Sequence, residues 1–207
     1  MSNHNLPDEM GTREKIINVA LDLFAQNGFS ATSVRQIAQE VGIRESSIYN
    51  HFNSKDEILK SVLSSFGFGF VKTILEKQYL KQDIVDPYRF LISIIDDIMN
   101  RWTEPHDRKF VQVLFMEMFR EKAAREAYNR DLDASRTFFV QLFKKMQEKG
   151  QIKPIDPWVL ANEFLGLIVF VHIEYLNRIA EDEDVTPIYR ELRYKHVEFF
   201  WQAIKNE

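Results

Sequence analysis

The chain has 207 residues, of which 45% are hydrophobic and 28% charged, and its formal net charge is −4. So many apolar residues can bury a core, which excludes the disordered and fibrous classes, and the negative charge means that any nucleic-acid site must be a local patch. The absence of cysteine excludes disulfides, thiolate nucleophiles and Cys-ligated zinc, and fits a reducing compartment.

The first predicted helix runs from Thr12 to about Gln26, because apolar residues recur there with the helical period and an Asn-Gly pair follows. Ser33 and Gln36 have the spacing of a capping box, which predicts that a second helix begins there. Gly42 ends this helix. The inner face of the second helix includes an alanine, which is typical of helices that cross closely.

A second capping box, formed by Ser54 and Glu57, predicts the start of a fourth helix. It leaves only about Arg44 to His51 for the third helix. Two short helices joined by a tight glycine turn are typical of a helix-turn-helix, which presents the start of its second helix to base edges in the major groove. The same spacing also suits an ordinary helical hairpin, so spacing alone leaves both possibilities open.

We expect the fourth helix to continue as a long helix through Gly67 and Gly69, glycines that indicate close packing or pliability because glycine weakens a helix. Three later helices are predicted where a capping residue precedes proline, at 86–87, 156–157 and 186–187. Two more lie between them, in DRKFVQVLFMEMFRE and from about Ala124 to Gly150. The sequence therefore predicts an all-α fold of about nine helices.

Four short patterns follow one another in ALDLFAQNGFSATSVRQIAQEVGIRESSIYNHFNSKDEIL. They are A-x-x-L-F-x-x-x-G-F, T-[ST]-V-R-x-I-A, G-[VI]…[LI]-Y-x-[HY]-F and x-S-K-[DE]-E-[IL]-L. In this order they make residues 12–60 resemble the TetR (tetracycline-repressor) family of bacterial helix-turn-helix transcription regulators. The resemblance implies a helix-turn-helix DNA-binding domain at 10–58 and an effector-binding and dimerisation domain at 59–207.

The implied function is that of a ligand-responsive regulator, a repressor by expectation. It would bind a pseudo-palindromic double-stranded DNA operator as a homodimer and leave it when a hydrophobic or amphipathic small molecule binds. The alternative is a helical small-molecule-binding protein, or a small all-α enzyme, whose N-terminal hairpin is structural. We expect no enzyme and no cofactor, because the sequence has no G-x-S-x-G, phosphate loop or HExxH pattern. The five histidines lack metal-ligand spacing, so no metal site is expected.

The resemblance also implies which side chains contact DNA: Ser33, Arg35, Arg44, Glu45, Ser46, Ser47, Tyr49, Asn50, His51 and Lys55. Arginine can grip guanine with two hydrogen bonds, whereas hydroxyl groups and lysine suit phosphates. Many relatives have Ser or Thr as a helix cap where this chain has Arg44, so we expect an uncapped third helix. Glu45 would repel phosphate but could accept from cytosine, or could face solvent. Tyr49 could pack with or without a phosphate contact, and His51 could be a core histidine.

The last two helices carry more apolar residues than one face can bury, which favours a second subunit as their partner. The expected interface residues are Trp158, Leu165, Ile168, Phe199 and Phe200. Expected pocket residues are Trp102, Gln112, Phe115, Phe119, Phe139, Phe143, Asn162, Phe170, Val171, His172 and Tyr175, although for each one taken singly core packing is favoured. The opening residues contain no targeting segment and the run FLGLIVFVHI is too short to span a bilayer, so we expect a cytoplasmic protein without a membrane partner.

Overall fold

The computed structural model describes residues 10–65, 83–179 and 186–206. Within these ranges the chain forms nine helices and no strand, which confirms the all-α prediction. In chain order they are α1 (Thr12–Asn27), α2 (Val34–Val41), α3 (Glu45–Ile48), α4 (Lys55–Ser65), α5 (Pro87–Thr103), α6 (Pro105–Glu117), α7 (Lys122–Glu148), α8 (Pro157–Ile179) and α9 (Thr186–Ile204). The expected continuation of the fourth helix through Gly67 and Gly69 lies outside the described residues.

Side-chain caps fix the starts of α2 and α4. The Ser33 hydroxyl accepts from the backbone N–H of Gln36 at 3.2 Å, and the Gln36 side chain accepts from the Ser33 N–H at 2.7 Å, so the first predicted capping box is confirmed. At α4 only half of the second box forms, because the Glu57 carboxylate accepts from the N–H of Asn53, at 2.7 Å, instead of that of Ser54. This bond, together with one from the Asn53 side chain, lowers the pKa of Glu57.

Gly42 makes the turn between α2 and α3. Its φ of 80° and ψ of 29° lie in the left-handed region, which side chains other than glycine enter at a cost of about 1 kcal/mol or more. The Gly42 N–H donates to the carbonyl of Gln39 at 3.2 Å, and the Ile43 N–H donates to that of Ala38 at 3.0 Å. This pair of bonds is a Schellman motif. It turns the chain sharply enough for α3 to pack on α2.

The described residues form two compact units. One contains α1 to α4 together with Pro105–Arg130, and the other contains α5, the part of α7 from Asp131 onward, α8 and α9. The first unit is built around buried side chains from α1, α2 and α3, including Phe24, Ile37 and Ile48. It is larger than the 10–58 domain expected from the sequence, because α6 packs on α1.

Polar side chains on one face of α6 contact α1. Each of them crosses a long sequence separation, so no local pattern indicates them. The three pairs along the helix are His106 with Asn18 at 3.0 Å, Lys109 with Asp22 at 2.6 Å, and Gln112 with the carbonyl of Ala25 at 3.1 Å. Burial of His106 lowers its pKa, so the imidazole is held in the neutral form beside Asn18. These contacts fix the rotation of α6 about its axis relative to α1.

The second unit has an aromatic core. Phe139 and Phe143 of α7 are fully buried and pack against Phe164 of α8 and Phe200 of α9. The ring centroids of Phe164 and Phe200 are 5.0 Å apart, a normal separation for interacting aromatic rings. An isolated antiparallel bridge between Ile152 and Lys205 holds the end of α9 beside the loop that precedes α8.

α8 has a buried face and an exposed apolar face. Over Pro157–Tyr175 its length and mean hydropathy of 1.3 would allow it to cross a membrane, although the run FLGLIVFVHI within it is by itself too short to span a bilayer. The core helix of a soluble protein passes the same test, and in α8 Phe164 and its neighbours line the core of the second unit. The helix is therefore weak evidence for a membrane span.

Candidate functional site

The side chains expected to contact DNA form one surface of the first unit, on and between α2, α3 and the start of α4. Most of them are exposed: Ser33, Arg35, Arg44, Glu45, Ser46, Tyr49, Asn50 and His51. Ser47 and Lys55 are half-buried. Tyr49 is 51% exposed, so half of its ring is open to a partner, and the core alternative for His51 is wrong because that side chain is exposed.

Buried residues hold this surface in place from behind. Ile37 and Ala38 of α2 and Ile48 of α3 are at most 2% exposed. Phe52, which follows α3, is 1% exposed. The guanidinium of Arg13 lies over its ring, 4.9 Å from the centroid. These buried residues therefore hold the exposed polar residues of α2 and α3 in position.

Arg44 immediately precedes α3 and leaves it without a side-chain cap, as expected. Its backbone is extended, with φ −72° and ψ 146°, and its carbonyl accepts from the N–H of Ser47 at 2.9 Å. Because the side chain is exposed and makes no capping bond, its guanidinium is available to an external acceptor. The planar guanidinium group can donate two parallel hydrogen bonds to guanine or to a phosphate.

Lys55 has internal partners that the sequence did not indicate. Its ammonium donates to the carbonyls of Phe29 and Thr32, each at 2.7 Å, and lies 3.5 Å from that of Ser30. It also lies 4.3 Å from the centroid of the Phe29 ring. The side chain thus ties the first turn of α4 to the loop between α1 and α2.

Glu117 is a second contact to this loop that sequence reasoning missed. Its Oε1 accepts from the backbone N–H of Phe29 at 2.8 Å, and the side chain is 2% exposed. Gly28, with φ 80°, lies so close that an added Cβ would be 3.4 Å from this oxygen. The Phe29 residue is therefore held at its N–H by α6 and at its carbonyl by α4.

The expected pocket residues are divided between the two units. Gln112, Phe115 and Phe119 belong to the first unit, where Gln112 bonds to α1 and Phe119 is 80% exposed. In the second unit Phe139 and Phe143 are core, the alternative kept open above. The side chain of Trp102 lies outside the described residues.

The other pocket candidates of the second unit lie on α8. Asn162 donates to the carbonyl of Trp158 at 2.6 Å and accepts from Arg136 at 2.9 Å. Phe170 is 61% exposed on the outer face. Val171, His172 and Tyr175 are buried, and His172 and Tyr175 line a small cavity between α5, α8 and α9. Two members of the predicted set, His172 and Tyr175, thus share this cavity, and two others, Asn162 and Phe170, line a groove between α8 and α9.

The expected interface residues also separate into two groups. Trp158 and Phe199 are 57% and 77% exposed. Leu165, Ile168 and Phe200 are 8%, 5% and 6% exposed, so their own unit leaves them little surface for a partner, and their place in an interface stays a prediction. Between α8 and α9 runs a groove of about 660 Å³, whose walls include Gly166, Phe170 and Phe199.

Comparison with known proteins assigns the surface on α2 and α3. Residues 16–62 match the family described as bacterial regulatory proteins, tetR family. The N-terminal domain of the chain belongs to this family. The matched segment covers α2 and α3 and most of α1 and α4, so the resemblance seen in the sequence is confirmed.

Similarity of the chain to curated proteins extends beyond the matched segment. It is 21% identical over 199 residues to the Probable HTH-type transcriptional regulator YttP of Bacillus subtilis (strain 168), covering 95% of each chain. It is 33% identical over 91 residues to the biofilm operon icaADBC negative regulator IcaR of Staphylococcus epidermidis, covering 44% of this chain and 49% of that one. The chain is a transcriptional regulator of the TetR type.

Solved structures of similar fold match most of the length of this chain. SmeT, the repressor of the Stenotrophomonas maltophilia multidrug efflux pump SmeDEF, superposes with a TM-score of 0.73 at 18% identity. The superposition covers 96% of this chain and 92% of that one. In the part of the chain that the structure describes, no cluster of three or more potential metal ligands occurs.

Proposed function

We propose that this TetR-family regulator is a cytoplasmic repressor that binds a pseudo-palindromic operator as a homodimer. A hydrophobic or amphipathic small molecule bound in the second unit releases it from DNA. The observation that carries the proposal is the exposed polar surface of α2 and α3, fixed from behind by Ile37, Ala38 and Ile48. A rigid scaffold under exposed donors is what reading base edges requires.

The DNA-contacting surface supports a division of roles. Arg35, in the first turn of α2, and Arg44, just before α3, are exposed and can reach base edges or phosphates. Ser46 and Tyr49 carry hydroxyl groups suited to phosphate oxygens, and they flank the arginines on the same surface. The phosphate contacts would set the register of the helix, and the arginines would supply sequence preference.

The homodimer is supported by the outer faces of α8 and α9. Exposed apolar residues recur on α8 with helical spacing, at Val159, Phe170 and Ile173, and on α9 at Ile188 and Phe199. With the groove of about 660 Å³ between them, the two helices of one copy can receive the same two helices of another. A two-fold axis through this contact would present two recognition surfaces to two half-sites.

Response to a small molecule is supported by relatives and by the second unit itself. SmeT, a structural neighbour with 17% identity, forms a complex with triclosan, and IcaR is named a negative transcriptional regulator. In this chain the second unit contains an aromatic core and a polar cavity between α5, α8 and α9. A ligand can release DNA only by binding the DNA-incompetent state more tightly, by about 2.7 kcal/mol for a hundredfold effect.

The test is selection of duplexes from a random pool by the purified full chain at moderate salt. We expect one enriched pseudo-palindrome, bound by two copies of the chain, with half-site centres about one helical turn or somewhat more apart. The double variant Arg35→Ala, Arg44→Ala should enrich no sequence while remaining folded by circular dichroism. Recovery of random DNA alone by the wild-type chain would contradict the proposal.

A further inference from the structure

A small cavity in the second unit has a polar wall that the DNA-binding role does not use. It measures about 50 Å³ and lies between α5, α8 and α9. The lining includes Asn100, His172, Tyr175, Tyr189 and Arg193. This volume holds about three or four water molecules, whereas pockets for whole drug-sized ligands measure about 300 Å³ or more. The cavity can therefore receive one polar group of a ligand but not a bulky ligand as a whole.

Arg193 is the buried charge in this wall. The residue is 8% exposed, and its Nη2 lies 3.4 Å from Oδ1 of Asp96, a separation too long for a strong charge-assisted hydrogen bond. Asp96 also accepts from the hydroxyl of Tyr194 at 3.1 Å. Among the described residues Nε of Arg193 has no hydrogen-bond acceptor. A buried donor left in this way is costly, so a ligand that supplies an acceptor is stabilised there.

The other groups around the cavity decide the sign of the charge that fits. Arg190 also lines it, so two guanidinium groups belong to the wall, whereas Asp96 is the carboxylate paired with Arg193. The Glu174 carboxylate, which bonds to Tyr189, is itself paired with Arg178 at 3.5 Å and adds no net charge. His172 contributes no positive charge, because burial lowers its pKa to about 3 and the imidazole is neutral near pH 7. The surroundings therefore favour an anion over a cation.

Access and shape complete the site. Asn100 and Arg190 are exposed at the rim, so the cavity can be reached from solvent. Tyr175 and Tyr189 meet edge to face with centroids 5.7 Å apart, and the imidazole of His172 stacks beside Tyr175 at 6.3 Å. These flat faces suit the apolar carbons next to a planar charged group.

We propose that this cavity binds the carboxylate of an organic acid, with Arg193 as its charge partner. The inference rests on the proposed effector-responsive function and names the chemical class of the effector: an amphipathic monocarboxylate. The guanidinium of Arg193 can donate a second, parallel bond to a carboxylate through Nε, which matches the planar geometry of the pair. An amine would be repelled, and an alcohol would leave the buried charge without added neutralisation.

The experiment measures binding of linear monocarboxylates from butanoate to decanoate, and of benzoate, to the full chain by isothermal titration calorimetry. Primary alcohols and amines of the same lengths are the matched ligands. We expect at least one acid to bind and its alcohol and amine to bind about tenfold or more weakly. Arg193→Gln should weaken the acid about tenfold or more, whereas Asp96→Asn should strengthen it, because the ligand no longer competes with a protein carboxylate. Arg136→Gln, an arginine of α7 that bonds to Asn162 and Asp133, is the control and should change nothing.

Absence of binding by every acid would overturn the inference, as would equal binding of acid and alcohol. Weaker binding in Asp96→Asn would do the same and stays decisive if Arg193→Gln does not fold. The proposed function is measured separately, as operator affinity without ligand. Arginine-dependent acid binding in a chain that selects no operator would leave this inference standing and remove the repressor role. Operator binding without acid binding would do the reverse.

Discussion

The carboxylate of Glu117 accepts a hydrogen bond from the backbone N–H of Phe29 at 2.8 Å, across 88 residues of sequence. The carbonyl of the same residue accepts from Lys55 at 2.7 Å. The loop that leads from α1 into the DNA-contacting surface is thus held by two helices at once. Any shift of α6 or of the start of α4 acts directly on this loop.

Removing the acceptor on α6 should destabilise the first unit. In Glu117→Ala the N–H of Phe29 stays buried without its partner, and we expect the free energy of unfolding to fall by about 1–3 kcal/mol. Glu117→Gln keeps an acceptor and should lose less. Urea denaturation measures both, with Glu126→Ala, an exposed carboxylate paired with Lys122, as a control expected within about 0.5 kcal/mol of wild type. Equal losses in the alanine and glutamine variants would contradict the role of the hydrogen bond.

Lys55→Ala should lower the free energy of unfolding and leave the salt dependence of DNA binding unchanged. Its ammonium bonds to loop carbonyls, and hydrogen bonds from charged groups contribute about 1.5–3 kcal/mol to folding. We expect a comparable loss in denaturation, with no change in the slope of log K for DNA against log salt. If instead the slope fell by about 0.9 at unchanged stability, Lys55 would be a phosphate contact, as the resemblance implies.

The two exposed arginines should separate base reading from general affinity. Arg35→Ala or Arg44→Ala should weaken the selected operator by about 1–3 kcal/mol and relax preference at one base pair in each half-site. Fluorescence anisotropy against a panel of single-base variants measures both effects. Arg89→Ala provides the control, because that side chain is exposed on α5 of the second unit and should leave operator binding unchanged. Equal weakening of operator and random duplex would reassign both arginines to phosphates.

Substitutions in the groove between α8 and α9 should leave the folding of one copy intact but prevent two copies from associating. An added Cβ at Gly166 meets nothing within 4 Å, so Gly166→Met should fold well and yet obstruct a partner. Phe199→Glu should give monomers because it places an unpaired charge on the proposed contact. Sedimentation velocity measures the association, and Phe119→Glu, equally exposed but in the first unit, should remain dimeric. Unchanged dimers in both groove variants would move the interface elsewhere.

Acid should destabilise the second unit through His172. Burial lowers its pKa from the usual 6.5 to about 3, so between these values the unfolded chain binds a proton that the folded chain does not. Stability from this group is complete above pH 6.5 and is lost as the pH falls, by about 1.4 kcal/mol per pH unit. His172→Gln should therefore show a shallower decline of the unfolding free energy between pH 6 and pH 4. An identical decline in the variant and the wild type would be inconsistent with a buried neutral imidazole.

Local patterns were sufficient to predict the helices and most of their caps. Ser33 with Gln36 marks the start of α2 because both partners of the box lie within one turn of each other. The same holds for Asp86, whose side chain accepts from the N–H of Arg89 just after the proline that begins α5. Such contacts join residues three or four positions apart, so they can be predicted from the local sequence.

Contacts between distant segments could not be predicted in this way. The sequence suggests that Lys55 meets phosphate because it lies at a helix start, yet its partners are carbonyls more than twenty residues earlier. Likewise Leu165 and Phe199 look equivalent in an apolar pattern, but one faces its own core and the other faces solvent. Only the packing of α8 against α9 decides which side of each helix is inside.

The reach of α6 onto α1 also matters for building chimeric regulators. Residues 16–62 are the segment shared with the family, and they contain the helices proposed to read the operator. Exchanging this segment alone is therefore the obvious design for a chimera with another operator. Yet three residues of α6 bond to that segment: Lys109 to Asp22, Gln112 to the carbonyl of Ala25, and Glu117 to the N–H of Phe29. A graft that stops at residue 62 would place the α1 of another protein against an α6 whose polar side chains do not match it. The transplantable module is therefore discontinuous in sequence and includes α6.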